Sequence, residues 1–135
     1  MKPTLCAGVS ATRRIEIDAP RTIDFLGPQL RVYATPELVR DFEYACRDLI
    51  VAHAYAGEDS VGTGITVSHA GATLCGMHVT ITVAVSKVEG RLVSFDLVAR
   101  DDVEEISRGT HTRFVVDVEK LRAKVQAKAD KIARG

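Results

Sequence analysis

The sequence predicts an α+β fold in which an antiparallel sheet is wrapped around one long central helix, with a second helix at the C-terminal end. Three observations carry this expectation. Residues 35–54 (TPELVRDFEYACRDLIVAHA) form the only long amphipathic helix pattern before the tail: Leu38, Val39, Phe42, Ala45, Cys46, Leu49, Ile50 and His53 recur at the spacing of one helical face. Four stretches of alternating apolar and polar residues follow it, joined by short connections that suit antiparallel neighbours rather than crossovers. With 135 residues, 46% of them hydrophobic, there is material for one core, read as a single domain whose body runs from about residue 13 to 118.

In chain order, residues 1–11 have no periodicity and are expected to be partly disordered. Arg14 to Ala19 alternates with Ile15 and Ile17 on one face, and Pro20 ends it. Arg21 to Ala34 has no sustained period and contains Gly27-Pro28, so a loop is predicted. Thr35-Pro36-Glu37 is a helix start: threonine suits the N-cap, proline the first turn, and an acid complements the helix dipole. Arg40, Asp41, Arg47 and Asp48 fall on the face away from the apolar stripe. Gly57 stops the helix.

Ser60 to His69 then puts Val61, Thr63, Ile65, Val67 and His69 on one face, and Met77 to Val88 puts Met77, Val79, Ile81, Val83 and Val85 together. A Glu89-Gly90 turn leads to Leu92–Ala99 with Val93, Phe95, Leu97 and Ala99 inward. The last strand, Glu105 to Val118, is expected to break near Gly109 in a bulge or bend. Residues 119–133 form the second helix pattern. A small sheet curled round one helix is the hot-dog architecture, whose outer edges commonly pair in a dimer.

Composition removes several function classes. Eighteen basic and eighteen acidic residues cancel, so no net field recruits nucleic acid or an anionic membrane. No apolar run is long enough to span a bilayer, and the start of the chain lacks the apolar core of a secretion signal. Cys6, Cys46 and Cys75 are an odd, scattered set that suits reduced thiols and a cytoplasmic setting. Cys75 and His78 have zinc-like spacing but no second pair, so no metal is expected.

Glu43 is the charged residue hardest to explain by packing, because it projects at the edge of the apolar stripe beside Val39, Cys46 and Ile50. It reads either as a snorkelling surface acid or as a carboxylate whose pKa is raised by apolar neighbours, poised as base or nucleophile. His69 reads as a packed histidine or, sharing a face with Ile65 and Val67 under the helix, as an imidazole hydrogen-bonded to Glu43. Thr35 is an N-cap, or a hydroxyl that together with free N–H groups at the helix start holds an oxyanion. Eight helical residues put Thr35 and Glu43 about 12 Å apart along the axis. One helix cannot close them into a triad; a folded-back lead-in, the substrate or a second subunit must bridge them. Gly62 and Gly64 mark a bulge or a close backbone approach, and Arg113 reads by pattern as a solvated strand residue. His78 and His111 read as structural.

Three segments together, YATPELVRDFEYAC (33–46), SVGTGITVSHAGATLCGMHVTITVAVSKVEGR (60–91) and DDVEEISRGTHTRFVVDVEK (101–120), resemble the fluoroacetyl-coenzyme A thioesterase family of hot-dog proteins. The recurring pieces are A-T before the helix, E-[YW]-A-C within it, G-T-x-I-x-V-x-H, V-E-G-R and G-T-H-x-R, and the resemblance runs from about Val32 to Lys124. It implies catalytic roles for Thr35, Glu43 and His69, and contacts to the thioester and coenzyme A at Gly62 and Arg113. The family pattern has a longer, Phe-rich segment before the helix and a Gly-Phe after the threonine. Here the corresponding Phe25 to Val32 is shorter and Pro36-Glu37 follows, which implies a more open pocket and another acyl group.

The expected function is therefore hydrolysis of a small acyl-coenzyme A by a homodimer or a tetramer. Coenzyme A enters only as part of the substrate, and no other cofactor is needed. The alternative is a non-catalytic acyl-coenzyme A-binding dimer. A hydratase acting on enoyl thioesters ranks lower, because the Asp/His pattern of those enzymes is not evident. The basic tail, with Lys120, Arg122, Lys124, Lys128, Lys131 and Arg134, reads first as a solvated helix seated by Leu121 and Val125, and second as an anion-binding element for the nucleotide end of coenzyme A.

Overall fold

The computed structural model describes residues 1–135. Its elements are β1 (Ser10–Glu16), α1 (Thr35–Ala52), β2 (Glu58–His69), β3 (His78–Glu89), β4 (Leu92–Arg100), β5 (Glu105–Asp117) and α2 (Val118–Ala133). Short 3-10 turns at Ala19–Arg21 and Pro28–Leu30 shape the lead-in to α1. All neighbouring strands pair antiparallel in the order β1-β3-β4-β5-β2, so β1 and β2 are the edges.

The alternation that defines β3 and β4 decides which face is covered. Val79, Ile81, Val83, Val93, Phe95 and Ala99 are all fully buried, and they meet Leu38, Phe42, Cys46 and Ile50 from the inner face of α1. Burying a side chain of this size contributes roughly 1.5–3 kcal/mol, so this layer is the main stabilising term of the fold.

Several sequence expectations are corrected. Residues 1–9 are tied down rather than loose: Leu5 is buried, Thr4 Oγ1 lies 2.8 Å from His53 Nδ1, and the Gly8 amide donates to Val85 O. The first strand begins earlier than expected, at Ser10, because Val9 and Gly8 already bond to Val85. The strand containing Gly109 is unbroken. Gly109 is needed because a Cβ there would collide with the Thr66 carbonyl, while the register slip with β4 falls at Ile106.

The inner face of β2 was only half legible. A bulge between Gly62 and Gly64 shifts the register against β5 and reverses the alternation. Val61 and Thr63 therefore point outward. Ser60 and Gly62 before the bulge, and Ile65, Val67 and His69 after it, face the helix side, opposite Val115, Arg113, His111, Gly109 and Ser107. Tail helix α2 buries no residue, and Val125 is exposed rather than a packing contact.

Candidate active site

At the start of α1, Ala34 occupies the N-cap in extended conformation and Thr35 is the first helical residue. This overturns the capping role for Thr35 and frees its hydroxyl, which lies 2.8 Å from His69 Nδ1 at the end of β2. The free N–H groups expected there reduce to one. Pro36 has none, and the Glu37 and Leu38 amides both donate to Ala34 O, leaving the Thr35 amide without a backbone acceptor. Burial lowers the His69 pKa from its ordinary value, the Gly71 backbone offsetting part of the effect, so the imidazole is neutral near pH 7. With Nε2 protonated, Thr35 donates to Nδ1; with Nδ1 protonated, the Thr35 hydrogen is left to meet a developing oxyanion.

More than two turns along α1, Glu43 leans over a second cluster. Arg113 is 5% exposed and thus buried, not a solvated strand residue. Its Nε donates to Ser60 Oγ at 2.8 Å, and its Nη2 to Ser60 O at 2.9 Å. Its Nη1 stands 3.2 Å from His111 Nε2 and 4.0 Å from a Glu43 carboxylate oxygen. Burial lowers the guanidinium pKa, and Glu43 is the first influence opposing that. The surroundings expected to be apolar are polar and half open: Glu43, with 45% of its side chain exposed, lines a cavity of about 210 Å³ with Tyr44, Arg47 and Arg113. Gly62 closes one side, where a Cβ would sit 3.3 Å from His111 Cε1 and 3.7 Å from Glu43 Oε1.

His111, read from sequence as merely structural, belongs to this cluster. Its Nδ1 lies 2.7 Å from Gly64 O and must donate to it, so Nε2 is an acceptor facing Arg113. Burial lowers its pKa and keeps it neutral. The signal was available: Thr-His-Thr-Arg in an alternating strand puts His111 and Arg113 on one face.

Asp41 was also misplaced on the outer face. It is buried because the lead-in folds over it: Tyr33 donates its phenol hydrogen to Asp41, and Arg21 grips both carboxylate oxygens at 3.1 and 3.2 Å. The Tyr33 ring stands edge-on to His69, with centroids 6.1 Å apart. The lead-in is thus a fastened strap next to the Thr35–His69 pair. Within one chain, however, Glu43 bonds to neither His69 nor Thr35. The structure unites Glu43, Gly62 and Arg113 in one cluster and Thr35 with His69 in another.

A sheet wrapped on one helix, with a hydroxyl–imidazole pair and a carboxylate–guanidinium pair on its inner surface, defines a hot-dog protein with an acyl-transfer type of site. The profile of the family described as fluoroacetyl-CoA-specific thioesterase matches residues 17–119. A fluoroacetyl-CoA thioesterase from Streptantibioticus cattleyicolor is 36% identical, over 95% of this chain and 97% of its own. A solved fluoroacetyl-CoA thioesterase superposes with a TM-score of 0.82, at 36% identity, over 90% of this chain and 96% of that one. A variant of that enzyme has been solved with fluoroacetate and CoA. A thioesterase superfamily member from Thermus thermophilus gives a TM-score of 0.89 at 25% identity, with both chains fully covered. The chain belongs to the fluoroacetyl-CoA-specific thioesterase family, within the hot-dog thioesterases.

Proposed function

We propose that the protein is an acyl-coenzyme A thioesterase, hydrolysing a small acyl thioester to the free acid and coenzyme A, with Thr35, Glu43 and His69 as catalytic residues. The observation that carries this reading is the Thr35–His69 hydrogen bond, which takes the threonine away from capping and ties it to a neutral imidazole. The reaction adds the elements of water across the C–S bond: oxygen attacks the carbonyl carbon, the thiolate leaves, and a proton reaches the sulfur. The Thr35 hydroxyl and amide polarise the carbonyl; the Glu43 carboxylate delivers the attack, directly or through water; His69 carries the proton. Thiols have pKa values near 8.5, so the leaving group departs without strong assistance. Arg113 and the side-chain-free Gly62 hold the thioester against Glu43.

The separation of the two clusters is met by a homodimer. β2 is an edge strand, and two β2 edges pairing antiparallel over 64–68 would set each His69 near the second copy's Gly62, and so near its Glu43. Each dimer then has two sites, each with Thr35 and His69 from one chain and Glu43, Gly62 and Arg113 from the other. Phe25, Leu26 and Leu30, exposed on the lead-in, leave the acyl end open to a group other than fluoroacetyl.

The test is release of free coenzyme A from a panel running from acetyl and fluoroacetyl to long-chain and aromatic acyl thioesters. Selective release is expected, and folded Glu43→Gln and His69→Ala variants should each lose at least a hundredfold in kcat. Parent-rate hydrolysis by either variant overturns the assignment. Binding without turnover across the panel means a non-catalytic acyl-coenzyme A-binding dimer instead.

A further inference from the structure

The outer face of the sheet carries a second concavity, of about 420 Å³, where the ends of β2 and β5 meet α2. Its floor is apolar, built from Val61, Phe114 and Leu121; Phe114 is 43% exposed although it lies within a strand. Its rim is basic. Lys120 and Lys124, one turn apart on α2, both line it, and neither is ion-paired. Arg91 stands on the facing side, reaching Glu58 and Val115 O at 3.3 Å. The one acid present, Asp117, is engaged in capping α2 through the Lys120 amide. An exposed aromatic ring flanked by unpaired ammonium groups is the chemistry that receives a planar base carrying phosphates.

The groove's place in the fold connects it to the active site. Val61 and Thr63 line it from the outer face, while Gly62 between them faces Glu43, His111 and Arg113 on the inner one. Phe114 likewise follows Arg113 on β5 and points the opposite way. The two cavities are two sides of the same strand ends, separated by an edge strand without side chains at 62 and 64. A ligand filling both needs an anionic planar head and a narrow flexible arm.

We propose that this groove holds the nucleotide end of the acyl-coenzyme A, with the adenine on Phe114 and the phosphates against Lys120 and Lys124. The arm turns over β2 at Gly62, next to the stretch that pairs in the dimer, and delivers the thioester to Glu43. This rests on the thioesterase reading above and assigns a specificity role to α2.

The experiment compares each acyl-coenzyme A with the same acyl group on pantetheine, which lacks the nucleotide. The Lys120→Glu/Lys124→Glu double variant and Phe114→Ala should raise KM for acyl-coenzyme A about tenfold or more with kcat retained. Both should leave kcat/KM for acyl-pantetheine unchanged. Equal losses on both substrates, or none on either, overturn the proposal. If the parent protein hydrolyses neither thioester, the thioesterase reading fails by itself. Calorimetric binding of adenosine 3′,5′-bisphosphate then still decides the groove: affinity lost in the double variant upholds it, and no binding to the parent protein removes it.

Discussion

At the scale of residues, the candidate site contains two histidines kept neutral by burial. Both His69 and His111 have pKa values below the ordinary histidine value, with burial the first cause in each. Because the folded chain holds these protons less tightly than the unfolded one, their contribution to stability is fully present above the unfolded pKa of about 6.5. It is lost as pH falls through that value towards the lower folded ones. Urea midpoints should therefore drop between pH 7 and 5, and replacing His111 with Asn or Gln should flatten that dependence. The acid limb of kcat/KM, set by His69 as base, should lie below pH 6.5 rather than at it. A limb above 6.5 would contradict the environment described for His69. Glu43 and His69 stood out in the sequence as candidates because a charge at the edge of an apolar stripe and an imidazole on an inward strand face break the local pattern. Asp41 was not, because its burial comes from Tyr33 and Arg21, which reach it from a segment without any periodicity.

At the scale of elements, α1, β3 and β4 were readable because one period runs through most of each, and apart from Asp41 their buried residues are among those expected. The two strands that build the site were read less well for the same reason: glycine carries no hydropathy signal. Gly62 and Gly64 reverse the phase of β2, so that only Ile65, Val67 and His69 keep the inward face assigned to them. Gly109 marks a close strand approach and not a break. Gly109→Ala should accordingly force β5 away from the Thr66 carbonyl and destabilise the protein by about 1–3 kcal/mol, the usual cost of overpacking. Chemical denaturation measures it; a change under about 0.5 kcal/mol, the scale of ordinary surface substitutions, would mean that the strands separate freely there. The same separation of residues 107–111 from β2 would disturb His69 through its register partner Ser107, so activity should fall with stability.

At the scale of the molecule, one chain holds the Thr35–His69 pair and the Glu43–Gly62–Arg113 cluster apart along α1, and an unpaired edge strand runs between them. The fold alone could be read from element order; the separation of Thr35 from Glu43 could be anticipated only as a distance along the helix, and the shared site proposed above rests on it. The most direct test mixes the Glu43→Gln and His69→Ala proteins, each inactive alone, under conditions that let subunits exchange. With random exchange, half of the dimers are mixed and one of their two sites is intact, so activity on the best thioester should recover to about a quarter of the parent rate. No recovery, with exchange verified by mass, would contradict a site shared between two chains and mean that each working site needs Glu43 and His69 from the same chain.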